Sequence, residues 1–295
     1  MKRASIVIVT YNSSNHIYKC LDSIFKYNDI GDDLEVIVVD NNSPEGGEMF
    51  DSISQLYADK IKLINSGKNG GYGFGNNVGI NAASAPIVIV MNPDVRLISP
   101  IFKSIINIMG EKQLGMLGVS FIDGSSPYYF KPEHWTLGRY WLQKLYNKRQ
   151  KYRNGLMYVS GSFIIFDKEC FIKAGMFDEN MFMYFEEPDI TNRIEMLGEK
   201  TEWCKDIQVL HLAHGRSFNK TLINYWYRSF EYYCQKYNLN KRKLLKIRMV
   251  TFKLNSYIWK ILGNKAKSSM YSNTLSDMEA YWKENYLSQN SLVRI

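Results

Sequence analysis

Short β-branched runs alternate, along the first third of the chain, with segments whose apolar residues recur at helical spacing. Ile6–Val9 and Val36–Val39 are apolar throughout and bounded by polar turns, the pattern of parallel strands buried on both faces. Between them, Asn15–Asn28 sets Ile17, Leu21, Ile24 and Phe25 on one stripe and predicts a helix. The alternation continues with helices over Met49–Leu56 and Asn76–Ser84 and strands over Ile61–Ile64 and Ile87–Met91. Repeated strand–helix units imply an α/β protein, an open sheet with helices on both faces. After Asp94 the rhythm changes. A helix is expected over Pro100–Met109, strands over Met116–Ile122 and Ser162–Phe166, and a helix over Pro188–Leu197, opened by proline and followed by Gly198. Residues 123–158 are polar and aromatic and read as a long loop, and from 219 the pattern is helical to about 262.

Composition adds bounds. The chain has 295 residues, 45% hydrophobic and 22% charged, a globular balance and enough length for about two domains. No stretch reaches the ~18 consecutive apolar residues of a membrane span. Met1-Lys2-Arg3 leads straight to Ile6–Val9 with no small-residue cleavage site, so no secretory leader is expected. Cys20, Cys170, Cys204 and Cys234 are scattered and off metal-ligand spacing, which fits a reducing cytoplasm.

The net charge of +8 is concentrated. Residues 219–270 hold 12 Lys and Arg against the single acid Glu231, whereas residues 1–218 are net −2. Tyr225, Trp226, Tyr227, Phe230, Tyr232, Tyr233, Tyr257 and Trp259 are interleaved with those cations. Such a stretch suits an anionic membrane surface, nucleic acid, or a solvated helix face that packs on the core or forms a homodimer. The acidic remainder argues against nucleic acid. The expectation is therefore a peripheral contact with the membrane, with Tyr257 and Trp259 at headgroup level.

Ligands of α/β sheets bind beyond the carboxyl ends of the strands. There the chain carries Thr10-Tyr11-Asn12, then Asp40-Asn41-Asn42-Ser43, then Asn69-Gly70-Gly71 through Asn76-Asn77, then Asn92-Pro93-Asp94. Four polar clusters converging on one edge indicate a site rather than ordinary turns. Gly73, Gly75 and Gly79 have the wrong spacing for a dinucleotide fingerprint, but a glycine run and the start of a helix at Asn76 suit a phosphate. Asp94 reads either as a turn residue or as a ligand for a divalent cation shared with substrate phosphates. Glu186-Glu187-Pro188-Asp189 reads as helix capping or as a general base raised toward neutrality by burial and like charge, and Asp189 and Arg193 stand at i, i+4. His211 and His214, near Arg216 and Ser217, read as a structural pair or as metal or phosphate ligands.

The order of these motifs, with Gly161-Ser162, Ala174-Gly175-Met176-Phe177-Asp178-Glu179, Arg193 and Gly198, resembles an inverting family 2 glycosyltransferase over roughly residues 4–218. The nearest branch is that of bacterial rhamnosyl- and galactofuranosyl-transferases of surface polysaccharide (O-antigen, capsule) synthesis. The resemblance implies a GT-A fold with a Rossmann-like nucleotide-binding sheet over 1–218, whose nucleotide-sugar half is 1–95 and acceptor half 96–218. A basic, aromatic-rich helical extension would occupy 219–295. It implies a UDP- or dTDP-sugar donor, Mn²⁺ or Mg²⁺, and a glycan or polyprenyl-diphosphate-linked acceptor at the cytoplasmic face of the cell membrane. Thr10, Tyr11, Asn12 and Asn42 would line the nucleotide pocket, and Asp40 would accept from the N3–H of the base. Asn69, Gly70, Gly71, Asn76 and Asn77 would hold ribose and diphosphate. Asn92 and Asp94 fall at the Asp-x-Asp position, leaving Asp94 as metal ligand with His211, or alternatively His214. Glu187 would be the base, with Glu186 and Asp189 beside it. The Gln-x-x-Arg-Trp element of processive synthases is missing, which implies transfer of a single sugar. A sugar-nucleotide nucleotidyltransferase would want a glycine-rich signature directly after the first strand, and a non-catalytic nucleotide-sugar-binding protein would have no use for the Glu186-Glu187 pair.

Overall fold

The computed structural model describes residues 1–57, 60–212 and 220–287. These fall into two compact units, one of Met1–Lys131 with Tyr146–Tyr233, the other of Pro132–Leu145 with the chain from Cys234 onward.

The first unit is built on a mixed sheet. The parallel strands β1 (Ala4–Thr10), β2 (Leu34–Asp40), β3 (Ile61–Asn65) and β4 (Ile87–Met91) form its N-terminal half. The edge strand β5 is Val95–Leu97, and β6 is Leu114–Phe121. A separate antiparallel pair joins β7 (Tyr128–Phe130) to β8 (Met157–Val159). β9 (Phe163–Asp167) lies antiparallel to both β4 and β6. β10 (Lys200–His211) runs parallel to β6 and antiparallel to β5. The described strands of the large sheet stand in the order β3-β2-β1-β4-β9-β6-β10-β5.

Alternate residues of these strands feed opposite cores. Ile6, Ile8, Val36, Val38 and Ile89 pack with Ile17, Leu21 and Ile24 of α1 (Ser14–Lys26), Met49 and Ile53 of α2 (Gly46–Tyr57), and Ile105 of α4 (Phe102–Lys112). Val7, Ile37, Val39, Val88 and Ile164 pack on the other face with Ile80 of α3 (Gly71–Ala82), Phe171 of α6 (Lys168–Lys173), and Ile190 and Ile194 of α7 (Glu186–Met196). Each fully buried aliphatic side chain contributes about 1.5–3 kcal/mol, which is why β1 and β2 read as unbroken apolar runs.

Several expectations change. Residues 123–158 are not one long loop: they hold β7, β8 and α5 (Leu137–Lys148). Three-residue strands carry no readable alternation, and α5 buries none of its residues, so neither leaves a hydrophobic signature. The turn is nevertheless anchored. Tyr128 is fully buried, lies edge-on to Tyr152 and Trp203, and donates its hydroxyl to the Tyr146 carbonyl. α3 starts at Gly71, not Asn76, and its glycines face the sheet: a Cβ at Gly79 would collide with Val7, and one at Gly75 with Val9 and Asn41. α7 starts at Glu186, so Pro188 sits within the first turn, where its missing N–H costs nothing.

In the second unit α9 (Lys241–Ile261) turns at Gly263 into α10 (Lys265–Trp282), so helix continues past 262. Asn240 and Asn264 cap the two helices through their side chains, and Ser256 and Ser268 exchange hydroxyl–carbonyl bonds between them. α10 was not legible because its residues are mostly exposed, with only Met278 buried. Between the units in sequence runs α8 (Lys220–Lys236), whose Tyr227, Phe230 and Tyr233 are buried in the first unit.

Tyr128→Ala should lower stability by about 3–5 kcal/mol, the range for deleting a buried aromatic, whereas Tyr129→Ala, whose ring is exposed, should change it little. Denaturant midpoints at constant slope read the difference.

Candidate active site

The β1 and β2 ends are tied to each other. Thr10 Oγ1 donates to Asp40 Oδ1 at 3.0 Å, and Ser43 gives Asp40 its N–H and hydroxyl, each at 2.7 Å. Asn12 donates its N–H to Ser43 Oγ at 2.9 Å. Asn12 and Asn42 both adopt left-handed backbone, which Asn tolerates better than most residues, and both side chains are exposed, as is Tyr11. Asp40 itself is 0% exposed. As packed here it braces the two strand ends through Thr10 and Ser43. Burial of an acidic side chain is tolerable because three donors meet it.

The next edge is the start of α3. Asn69 Oδ1 accepts from the Gly71 N–H at 3.2 Å, and Gly70 is the N-cap. Gly71 has φ +92°, and a Cβ there would collide with the Phe182 carbonyl, so only glycine fits. Asn41 donates Nδ2 to the Gly71 carbonyl at 2.8 Å. Asn41 Oδ1 and Asn76 Oδ1 are buried with no hydrogen-bond partner, two acceptors open to a ligand donor. Asn77 is different. Its amide holds the Phe177 backbone through both N–H and C=O and reaches Glu179, so it fixes a loop and does not face a ligand.

At the β4 end, Arg96 shapes the Asn92-Pro93-Asp94 turn. Its buried guanidinium donates to the carbonyls of Pro93, Val95 and His16. Pairing of β5 with β10 aligns Val95 with His211, and the Leu212 N–H donates to the Asp94 carbonyl at 2.9 Å. His211 Nε2 thereby lies 3.6 Å from Asp94 Oδ2 and 3.3 Å from Ser162 Oγ. Its Nδ1 is buried with no partner. His214 lies outside the described residues.

The acidic pair opens α7. Tyr184 and Phe185 both have left-handed backbone, uncommon for bulky side chains, and this strained corner aims the first helical turn. Phe185 is held by the rings of Trp226, Phe230 and Tyr233 on α8. Glu186 is 1% exposed, and burial first, then the Glu187 and Asp189 carboxylates, hold its carboxyl well above the usual range. Glu187 is half-buried, and its Oε1 accepts the Gly161 N–H at 3.1 Å. A Cβ on residue 161 would occupy the place of that carboxylate. Tyr72 donates its hydroxyl to the Gly161 carbonyl at 2.6 Å, and burial together with Glu187 and Glu186 raises its phenol far above its ordinary value. Asp189 belongs elsewhere: it is fully buried and paired with Arg193, whose Nε and Nη2 approach Oδ2 at 2.9 and 2.6 Å. Its i, i+4 ion pair locks α7, and Arg193 also donates to the Ala174 carbonyl.

Gly161 and Ser162 are thus the hinge of the site. One holds Glu187 and Tyr72, and the next residue holds His211 beside Asp94. Tyr72 and Asn41 were not singled out from the sequence, and Gly161-Ser162 carried no role there. The only signal was a small-residue pair at the start of an apolar strand.

A strand-end carboxylate with an imidazole, a buried acid pair, and a glycine-started helix along one sheet edge correspond to the family model described as glycosyl transferase family 2, which matches residues 5–175. The chain belongs to that family. It is a glycosyltransferase with the GT-A fold. It is 25% identical over 234 residues to the N-acetylglucosaminyl-diphospho-decaprenol L-rhamnosyltransferase of Mycobacterium tuberculosis H37Rv, spanning 70% of this chain and 75% of that one. Rhamnosyltransferase WbbL of Escherichia coli K12 is 23% identical over 274 residues, spanning 83% and 98%. Among solved structures, mannosyltransferase PcManGT of Pyrobaculum calidifontis, in complex with GDP-Man and Mn²⁺, superposes with a TM-score of 0.60 at 15% identity, over 96% of this chain and 75% of that one.

The donor set fits a divalent cation. Among the described residues no group of three or more His, Cys, Asp or Glu side chains gathers at metal-ligand spacing. Asp94 and His211 supply one oxygen and one nitrogen donor, leaving the other positions for water and phosphate oxygens, as Mg²⁺ and Mn²⁺ are often held.

Two outcomes follow. Gly161→Ala should displace the Glu187 carboxylate and abolish most activity while the thermal midpoint falls little, because the added methyl meets only the end of that flexible side chain. For Glu186, a folded-state value raised above the unfolded one means the native state binds the extra proton. Stability is then full below about pH 4.3, the unfolded value, and declines as pH rises through the interval up to the raised native value. Glu186→Gln removes that loss, so it should raise the melting temperature at pH 7–8 and have no such effect near pH 3.5; thermal melts across pH read it.

Proposed function

We infer that this glycosyltransferase moves a single sugar, with inversion, from a UDP- or dTDP-linked donor to a hydroxyl of a glycan or polyprenyl-diphosphate-linked glycan, in surface polysaccharide synthesis. Rhamnose is the first sugar to test, because both relatives named above carry rhamnosyl transfer in their names. The observation that carries the reading is the junction at Gly161-Ser162, which links the acid pair to the Asp94–His211 pair.

Asp94 and His211 are the residues that would hold Mg²⁺ or Mn²⁺. The cation would supply positive charge to the leaving nucleoside diphosphate. Burial holds the Glu186 carboxyl well above the usual range, which disfavours a second negative charge beside Glu187. Glu187 is then the carboxylate able to take a proton from the acceptor hydroxyl, and the Gly161 N–H fixes its direction. Attack at the anomeric carbon in line with the departing diphosphate inverts the centre in one displacement. Tyr11, Asn12 and Asn42 line the nucleoside side, with Asp40 bracing them from behind, and the open oxygens of Asn41 and Asn76 suit ribose or base donors.

Glu187→Gln should lower kcat by about 10²–10⁴-fold while donor binding, read by calorimetry with Mn²⁺, survives. Asp94→Ala should abolish the metal dependence of donor binding. Full turnover in either variant would require a different assignment. An active Glu187→Gln with an inactive Glu186→Gln would shift the base by one residue.

A further inference from the structure

In the second unit, α9 turns a two-character face to solvent. Lys243, Lys246, Lys253 and Lys260 are exposed on it at helical spacing, and so are Val250, Leu254, Tyr257, Ile258 and Ile261 between them. Tyr257 is 65% exposed, Ile261 80% and Leu262 64%. The opposite side, with Leu244, Leu245, Thr251 and Asn255, is buried. Solvated helices usually mix charges of both signs and keep large aliphatic groups inward. From Lys241 to Ile261 this helix has no acid at all. Single exposed apolar residues are ordinary, whereas a row from Val250 to Ile261, about 17 Å along one helix, is not. At its N-terminal end a cleft of about 410 Å³ sets Arg242, Lys243 and Lys246 against Leu137, Ile247 and Val250.

We propose that this face docks on an anionic phospholipid surface. The helix lies in the plane of the interface, with Leu254, Ile258 and Ile261 in the headgroup region and the lysines on lipid phosphates. Charge selects the occupant. A second copy of the chain would bring the same uncompensated cations face to face, whereas phosphodiester headgroups neutralise them. The cleft repeats the chemistry at small scale, three cations for a phosphate and three aliphatic side chains for the carbons behind it. Among the described residues no helix is long and apolar enough to cross a membrane, so docking is at the surface. Tyr257, not Trp259, is the aromatic that meets the lipid. Trp259 is already covered by the ammonium groups of Lys144 and Lys267, at 5.5 and 4.2 Å from its ring, which corrects the expectation that both would lie at headgroup level. This inference stands apart from the sugar-transfer chemistry.

The test is co-sedimentation of the full chain with vesicles of phosphatidylcholine alone or mixed with phosphatidylglycerol. Binding should require the anionic lipid and weaken with salt. The neutral triple variant Lys243→Gln, Lys253→Gln, Lys260→Gln should bind on the order of a hundredfold more weakly. Leu254→Asp with Ile261→Asp should also lose binding, with an unchanged melting curve because both positions are exposed. No binding, or equal binding to neutral vesicles, overturns the proposal. So does a dimer in solution, seen by light scattering, that the Asp variant dissociates.

Discussion

A carboxylate can occupy the position of Glu187 only if residue 161 has no side chain. The Gly161 N–H then meets Oε1, and the carbonyl of the same residue accepts from Tyr72 at the start of α3. Two elements distant in sequence, α3 and α7, converge on one stretch of backbone, and a methyl group there would displace the Glu187 carboxylate. The approach to α7 is equally constrained. Tyr184 and Phe185 hold left-handed backbone at a cost of order 1–3 kcal/mol each, and rings from α8 keep Phe185 in place. Energy from aromatic packing is thereby converted into the aim of two glutamates.

The sheet makes such aiming possible. With α1, α2 and α4 on one face and α3, α6 and α7 on the other, β1, β2 and β4 are buried on both sides and leave their carboxyl ends for polar groups, whereas the edge strand β3 exposes Lys62. β9 changes the sense of the sheet by running antiparallel between β4 and β6. Its first residues therefore arrive at the same edge at which β4 leaves. That reversal is what places Ser162, just before β9, next to the Asn92-Pro93-Asp94 turn just after β4, where the Asn92 N–H donates to the Ser162 carbonyl at 2.9 Å.

How much of this was legible depended on whether a residue's role was local. The four nucleotide-half strands and α1 were readable, because Ile6–Val9 and the Ile17, Leu21, Ile24 stripe state their period within a few residues. Asp94 and the glutamates stood out as acids at an element end. Acidity at a strand end looks the same in sequence whether or not it also braces the backbone; only the partners Thr10 and Ser43 show that Asp40 ties β1 to β2. The glycines from Gly71 to Gly79 read as a phosphate loop, yet Gly75 and Gly79 let α3 pack closely on β1 and β2, and Gly71 and Gly73 let Phe182 and Phe177 approach it, tertiary reasons with no local mark. Tyr72 and Gly161 were invisible for the same cause: their importance is a hydrogen bond across 89 residues.

The charge of the site sets its last constraint. Asp94, Glu186 and Glu187 bring acids to the edge at which, on the proposed reaction, a doubly charged diphosphate must also bind. Arg96, the nearest cation to the Asp94 turn in sequence, is committed to backbone carbonyls and shapes that turn without facing outward. Two devices lower the repulsion. Burial, with Glu187 beside it, holds the Glu186 carboxyl well above the usual range, which disfavours a second negative charge next to Glu187. The oxygen and nitrogen donors of Asp94 and His211 offer a seat for a divalent cation, which offsets the rest. On the proposed reaction the acidity of this edge and a bound cation would go together: a carboxylate base placed beside an anionic leaving group calls for a compensating positive charge.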